Sequence, residues 1–172
     1  MRIAVWTKNF AVISEKEKKI IKLAADFYAN ALMSPRIVKN LDITINIVDG
    51  LNKKQKFLGL AGPKENADER YPREFVIDLD RQKKLKSILK VLAHEMTHVK
   101  QYAKGELRYY DRNGLVTFNR EKYTDDDYWA SPWEIEAFGY EVCLFQKFHP
   151  TYKMLLREAR RDNLYKSKKQ EA

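Results

Sequence analysis

Cysteine is almost absent. The chain has 172 residues and one cysteine, Cys143, so no internal disulfide can form, which fits a reducing compartment. Histidine is scarce too, with three in all: His94, His98 and His149. No apolar run approaches the roughly 18 residues that a membrane helix needs, which excludes a helical membrane protein. The opening MRIAVWTKNF has a single Arg and four apolar residues in a row. That is too short for the core of a signal peptide, and the expectation is a cytoplasmic protein. Internal repeats and low-complexity linkers are also missing.

What remains is a globular composition. Hydrophobic residues make up 44% and charged residues 33%, which excludes a disordered chain. The length suits one domain with a core that needs neither disulfides nor a structural metal. That domain is expected over 1–165, with 166–172 as a basic, frayed tail. Lys and Arg number 33 against 24 acidic residues, a formal charge of +9. Such a charge permits nucleic-acid contact, but the lysines spread over several helical faces and read better as solvated surface.

Residues 14–33 carry a helical apolar period opened by a Ser14–Glu17 capping box and ended by Ser34-Pro35. LDITINIV, 41–48, alternates like a strand with one buried face, and Asp49-Gly50 is a turn. Residues 56–64 read as an irregular strand or loop, and FVIDLD, 75–80, as a second strand. A long helix follows over 82–104, stopped by Gly105. LRYYDRNGLVTF reads as a hairpin turning at Asn113-Gly114. Asp125, Asp126 and Asp127 fall in a loop. Ser131-Pro132 opens a helix that runs to Phe148 and breaks at His149-Pro150. A last helix is expected over 151–165. The sum is an α+β fold, a small mixed sheet with helices packed on it.

The long helix contains His94-Glu95-Met96-Thr97-His98. Positions four apart share a helix face, so both imidazoles can reach one metal ion, while Glu95 projects to the side and can touch a water without ligating. Leu85, Ile88, Leu89, Leu92, Met96, Val99 and Ala103 form the apolar stripe. Lys86, Lys90, Lys100 and Lys104 read as a solvated flank. The histidines lie opposite the stripe, beside Val91, Glu95 and Tyr102. Two of three histidines in one such pattern make coincidence a poor account.

A catalytic zinc needs a third protein ligand and an open position. His149 is one source. The others are Glu134, Glu136 and Glu141 on the helix SPWEIEAFGYE. Projection puts Glu134 and Glu141 in one arc with Ala137, Phe138, Leu144, Phe145 and Phe148, whereas Glu136 falls on the polar side. A carboxylate on an apolar face needs a partner, and a metal is one. Glu134 is therefore the expected ligand, although Ser131 and Glu134 also match a capping box. Glu141, on the same face, is expected to accept a hydrogen bond behind the ligands or to pair with a charge.

At these residues the sequence resembles the zincin metallopeptidases, specifically the gluzincins, in which HExxH is joined by a downstream glutamate that begins a short pattern ending in Ala, here Glu134-Ile135-Glu136-Ala137. The likeness spans about 41–148 and extends to small single-domain forms of the ImmA/IrrE-like and SprT-like kinds and to phage-encoded proteins. Where gluzincins often carry Asp four residues after the ligand, this chain has Phe138. The resemblance implies a zincin-like fold, one Zn2+ per chain on His94, His98 and Glu134, and a monomeric zinc metalloendopeptidase acting on a polypeptide substrate. Glu95 is the implied general base. An oxyanion donor is expected from Tyr102, Tyr109, Tyr110 or Tyr128, and FVIDLD is expected as the edge strand that pairs with substrate. Two other functions compete: a DNA-associated SprT-like protease using the basic tail, and a non-enzymatic module with a structural zinc site. A thiol enzyme built on Cys143 is disfavoured, because no histidine is near it in sequence.

Overall fold

The computed structural model describes every residue except 10, 83, 111–114, 125–129 and 171–172, and it leaves the side chains of 54, 55, 110, 159, 160 and 162–170 undescribed. The expected turn at Asn113-Gly114 and the acidic loop of Asp125, Asp126 and Asp127 lie outside the described residues.

The chain begins with strand β1 (Arg2–Lys8), an element that the sequence pattern does not announce. Helix α1 (Glu15–Leu32) follows, opened by the Ser14–Glu17 capping box. Then come α2 (Pro35–Val38), β2 (Asp42–Val48), α3 (Leu51–Gln55), β3 (Gly59–Pro63) and β4 (Glu74–Asp80). These strands form one mixed sheet in the order β1-β2-β4-β3, parallel except for β3. The register places Ile43 beside Phe75, Ile45 beside Ile77 and Ile47 beside Leu79. All six are fully buried, so the alternation of apolar and polar residues marks the covered face. The opposite face carries Asn46, which donates to Asp78 over 2.6 Å.

Helix α4 (Leu85–Ala103) lies on that apolar face between α1 and the last helix, α5 (Pro132–Gln170). The hydroxyl of Tyr28 donates to the Leu89 carbonyl, tying α1 to α4. The C-terminus of α4 closes as a Schellman motif: the Gly105 N–H meets the Tyr102 carbonyl and the Glu106 N–H meets the Gln101 carbonyl, with Gly105 at φ +68. Arg73 adds a 2.7 Å hydrogen bond to the Ala103 carbonyl. A second, three-stranded sheet of β5 (Leu107–Tyr110), β6 (Leu115–Phe118) and β7 (Glu121–Thr124) follows, all antiparallel. Leu107, Val116 and Phe118 bury Trp133 of α5 in a small second core. The architecture is thus α+β, as expected.

Two expectations fail. First, the helix does not break at His149-Pro150: α5 runs unbroken from 132 to 170. Proline removes one helical hydrogen bond. Here Phe148 and Tyr152, one turn apart, are both buried in the main core, and a continuous helix is what packs them together. Second, Lys100 is not on a solvated flank. It is 6% exposed, because the far side of α4 is roofed by α5.

Candidate metal centre

Burying a histidine pair next to a carboxylate requires elements converging from several parts of the chain. Helix α4 supplies His94, Glu95 and His98, the first turn of α5 supplies Glu134, and β3 closes over Glu95 from the sheet edge. Ala137, fully buried, lets α5 approach α4 closely.

The two imidazoles present their Nε2 atoms to one another at 3.1 Å. Glu134 completes a triangle, with Oε1 3.3 Å from His98 Nε2 and Oε2 3.2 Å from His94 Nε2. Among the described residues these three form the one such group able to hold a metal ion. Two ligand atoms on a single tetrahedral zinc lie about 3.3 to 3.4 Å apart, from bond lengths near 2.0 to 2.1 Å. The triangle fits that size. The facing nitrogens also ask for a cation: two imidazole nitrogens across 3.1 Å share at most one proton between them, and both turn toward the Glu134 carboxylate. A group of two imidazoles and one carboxylate suits zinc and related first-row metals.

Electrostatics in the metal-free chain set the carboxylates apart. Burial pushes Glu95 up to about 7, only partly opposed by the two histidines and by an N–H donated from Ala61. Burial also pushes Glu134 upward, but the hydrogen bonds and charges of His94 and His98 outweigh it and bring it down to about 2. Adjacent acids held in opposite protonation tendencies are a recurrent arrangement in hydrolytic sites.

The alternative ligands are elsewhere. Glu136 accepts from Lys100 and from Gln101. His149 lies between the rings of Phe145 and Tyr152. The carboxylate of Glu134 turns to the histidines. Glu141 sits 3.9 Å from His94 Nδ1, near but beyond hydrogen-bond length. Phe138 packs edge-on against His94, ring centroids 4.6 Å apart, in the position where the resemblance led one to look for Asp. Cys143 is exposed.

The orienting contact that sequence reasoning missed is Gln101. Its Oε1 accepts from His98 Nδ1 at 2.8 Å, while its amide donates 2.9 Å bonds to the Trp133 carbonyl and to Glu136. Those two acceptors fix the amide orientation, so the oxygen faces the imidazole. His98 then donates from Nδ1, and its neutral form presents a lone pair from Nε2. Lys100 holds Glu136 and Glu106 at 2.7 Å each. The signal lay in the spacing: 94, 98 and 101 recur at helical steps on one face, and 101 is polar.

Beside the triangle opens a cleft of about 230 Å³ that includes Gly59, Ala61, Glu95, Tyr102 and Tyr109 in its walls. Of the four candidate oxyanion donors, Tyr102 and Tyr109 face this cleft; Tyr128 and the Tyr110 side chain lie outside the described residues. The edge strand differs from the expectation. FVIDLD is β4, flanked by β2 and β3 on both sides, and the sheet ends at β3, directly over Glu95.

No protein-family model matches this chain, and neither does any curated protein or solved structure. No helix among the described residues is long and apolar enough to cross a membrane.

Proposed function

We propose that this chain is a zinc-dependent metallopeptidase of the zincin type, a hydrolase cutting polypeptides, with His94, His98 and Glu134 as metal ligands. The observation that carries the reading is the 3.1–3.3 Å triangle of ligand atoms with a buried glutamate, Glu95, next to it in the same cleft. Zinc, when bound, supplies Lewis acidity toward a substrate carbonyl and toward water.

The chain's own residues do the rest. Glu95 takes the proton of the attacking water and returns it to the leaving amide nitrogen. Gln101 fixes His98. The exposed edge of β3 offers unpaired backbone groups to an extended peptide, which would lie across the cleft mouth as an added strand. Tyr102 or Tyr109 donates to the developing oxyanion. A three-residue donor set leaves an open metal position, which favours catalysis over a closed structural site.

Purified protein is expected to hold about one zinc per chain, by metal analysis. Glu95→Gln is expected to keep the zinc and lose hydrolysis of an unfolded protein substrate. Folded protein without zinc affinity, or full turnover by the Glu95→Gln variant, overturns the proposal.

A further inference from the structure

A second cavity, of about 500 Å³, lies at the C-terminal end of α4, away from the histidines. Four cationic side chains, Arg70, Lys104, Arg108 and Arg120, share its wall with one carboxylate, Glu106. That carboxylate is already committed, 2.6 Å from Lys104 and 2.7 Å from Lys100. The helix end, a negative pole that could itself attract cations, is served by Arg73. Among the described residues no carboxylate lies within ion-pair distance of Arg70, Arg108 or Arg120. Three guanidinium groups without a carboxylate partner thus line one concavity, a surplus of positive charge that an anion would offset.

Two details show that the arrangement is built. Arg108 is partly buried and its Nε has no hydrogen-bond partner. It projects beside Tyr71, its guanidinium 5.9 Å from that ring, with Arg70 at 5.4 Å. A Cβ on Gly105 would stand 2.9 Å from Tyr71 Cε1 and 3.0 Å from Arg108 Nη2, so the glycine is what lets both close in. Arg120, for its part, occupies the second position of the two-residue β6–β7 turn at φ +74, after Asn119 at φ +50. Glycine is the ordinary residue there. A side chain held at a backbone cost in that position asks for a use on the cavity side.

We propose that this cavity binds a phosphate ester of nucleotide type, its phosphate oxygens forked by Arg108 and Arg120. Guanidinium groups match phosphate oxygens in pairs, Tyr71 offers a ring face, and the volume exceeds that of a bare inorganic anion. Free nucleotide and nucleic-acid strand carry the same chemistry. The site is independent of the metal reading. Along β5, Leu107 and Tyr109 line the metal-side cleft while Arg108 lines this cavity.

The test is titration calorimetry on the full chain with inorganic pyrophosphate, a mononucleoside triphosphate and a short single-stranded oligonucleotide. A parallel titration of chelator-treated protein separates phosphate held by any bound metal from phosphate held in this cavity. The wild type is expected to bind at least one of them with an affinity that weakens as salt rises. Tighter binding of the mononucleotide marks the free ligand as the source, and tighter binding of the oligonucleotide marks the strand. Arg108→Gln and Arg120→Gly are each expected to lose about tenfold or more in affinity. Arg120→Gly should also melt no lower than wild type, because glycine accepts the turn without strain; that separates loss of a ligand contact from loss of fold. Binding of none of the three probes overturns the proposal. So does binding unchanged in both variants, including oligonucleotide binding that disappears only when residues 166–172 are deleted.

Discussion

Replacing Glu95 with Gln should make the metal-free protein more stable while removing its activity. Glu95 is 4% exposed, and burial lifts it from its ordinary value of 4.5 to about 7. A raised carboxyl binds its proton more tightly in the native state than in the unfolded chain. Native stability therefore falls as pH rises through the interval between those two values, then levels off above the higher one. A tenfold difference in proton affinity is worth about 1.4 kcal/mol, so the ionised side chain costs the metal-free fold about 3 kcal/mol at pH 8 and above. The amide that replaces the carboxyl has the same shape, carries no charge, and keeps an oxygen to accept the Ala61 N–H. In a chain of this length about 3 kcal/mol is a melting shift of about 6 to 12 °C.

Calorimetric melting of chelator-treated wild type and variant across pH 4.5 to 8.5 measures the effect directly. The two curves should lie close at the acid end and separate as pH rises, the variant melting higher. Glu134 works in the other direction. Its carboxyl is held down to about 2 by the histidines, so its contribution is present above 4.5 and lost as pH falls toward 2. It is shared by both proteins and should largely cancel from the difference. A variant that melts at or below wild type at pH 8.5 would refute the view that an unpaired buried charge is being carried here for chemistry at the expense of stability.

The sequence showed most where one residue spacing answers one physical requirement. HExxH located His94, Glu95 and His98 because a helix alone fixes their relation. Glu134 was legible from its place among Phe138, Phe145 and Phe148, since a carboxylate there needs a partner. What escaped depends on contacts between distant segments. Lys100 looks solvated on its own helix, and only the roof of α5 turns it inward to Glu136. Glu141 was read onto the right face, and its oxygen stands 3.9 Å from the His94 imidazole, at ion-pair and not hydrogen-bond distance. β1 was hidden because a short parallel edge strand, RIAVWTK, lacks clean alternation and exposes Trp6. FVIDLD was recognisable as a strand but not by rank, since strand order is set by the crossovers and not by composition. Pro150 misled because propensity was outweighed by the packing of Phe148 and Tyr152.

Three further substitutions probe these points. Pro150→Ala should restore one helical hydrogen bond within α5 and stabilise the fold by up to about 3 kcal/mol, read as a higher melting temperature; lower helicity by circular dichroism would argue for a break at that position. Gly59→Ala should abolish hydrolysis with zinc retained, because the added Cβ would stand 2.5 Å from Glu95 Oε1 and 2.7 Å from Val91 Cγ1; normal turnover would mean that β3 can retreat from the base. Gln101→Met removes the acceptor that holds His98 and should weaken zinc binding about 10- to 100-fold in a chelator competition, with Glu141→Gln costing far less. Gln101 reaches His98 Nδ1 at 2.8 Å and is itself pinned by two acceptors, whereas Glu141 makes no hydrogen bond to His94. If the order of the two losses were reversed, the tautomer of His98 would not be set by Gln101, and the carboxylate on α5 would be the group that steers the metal ligands after all.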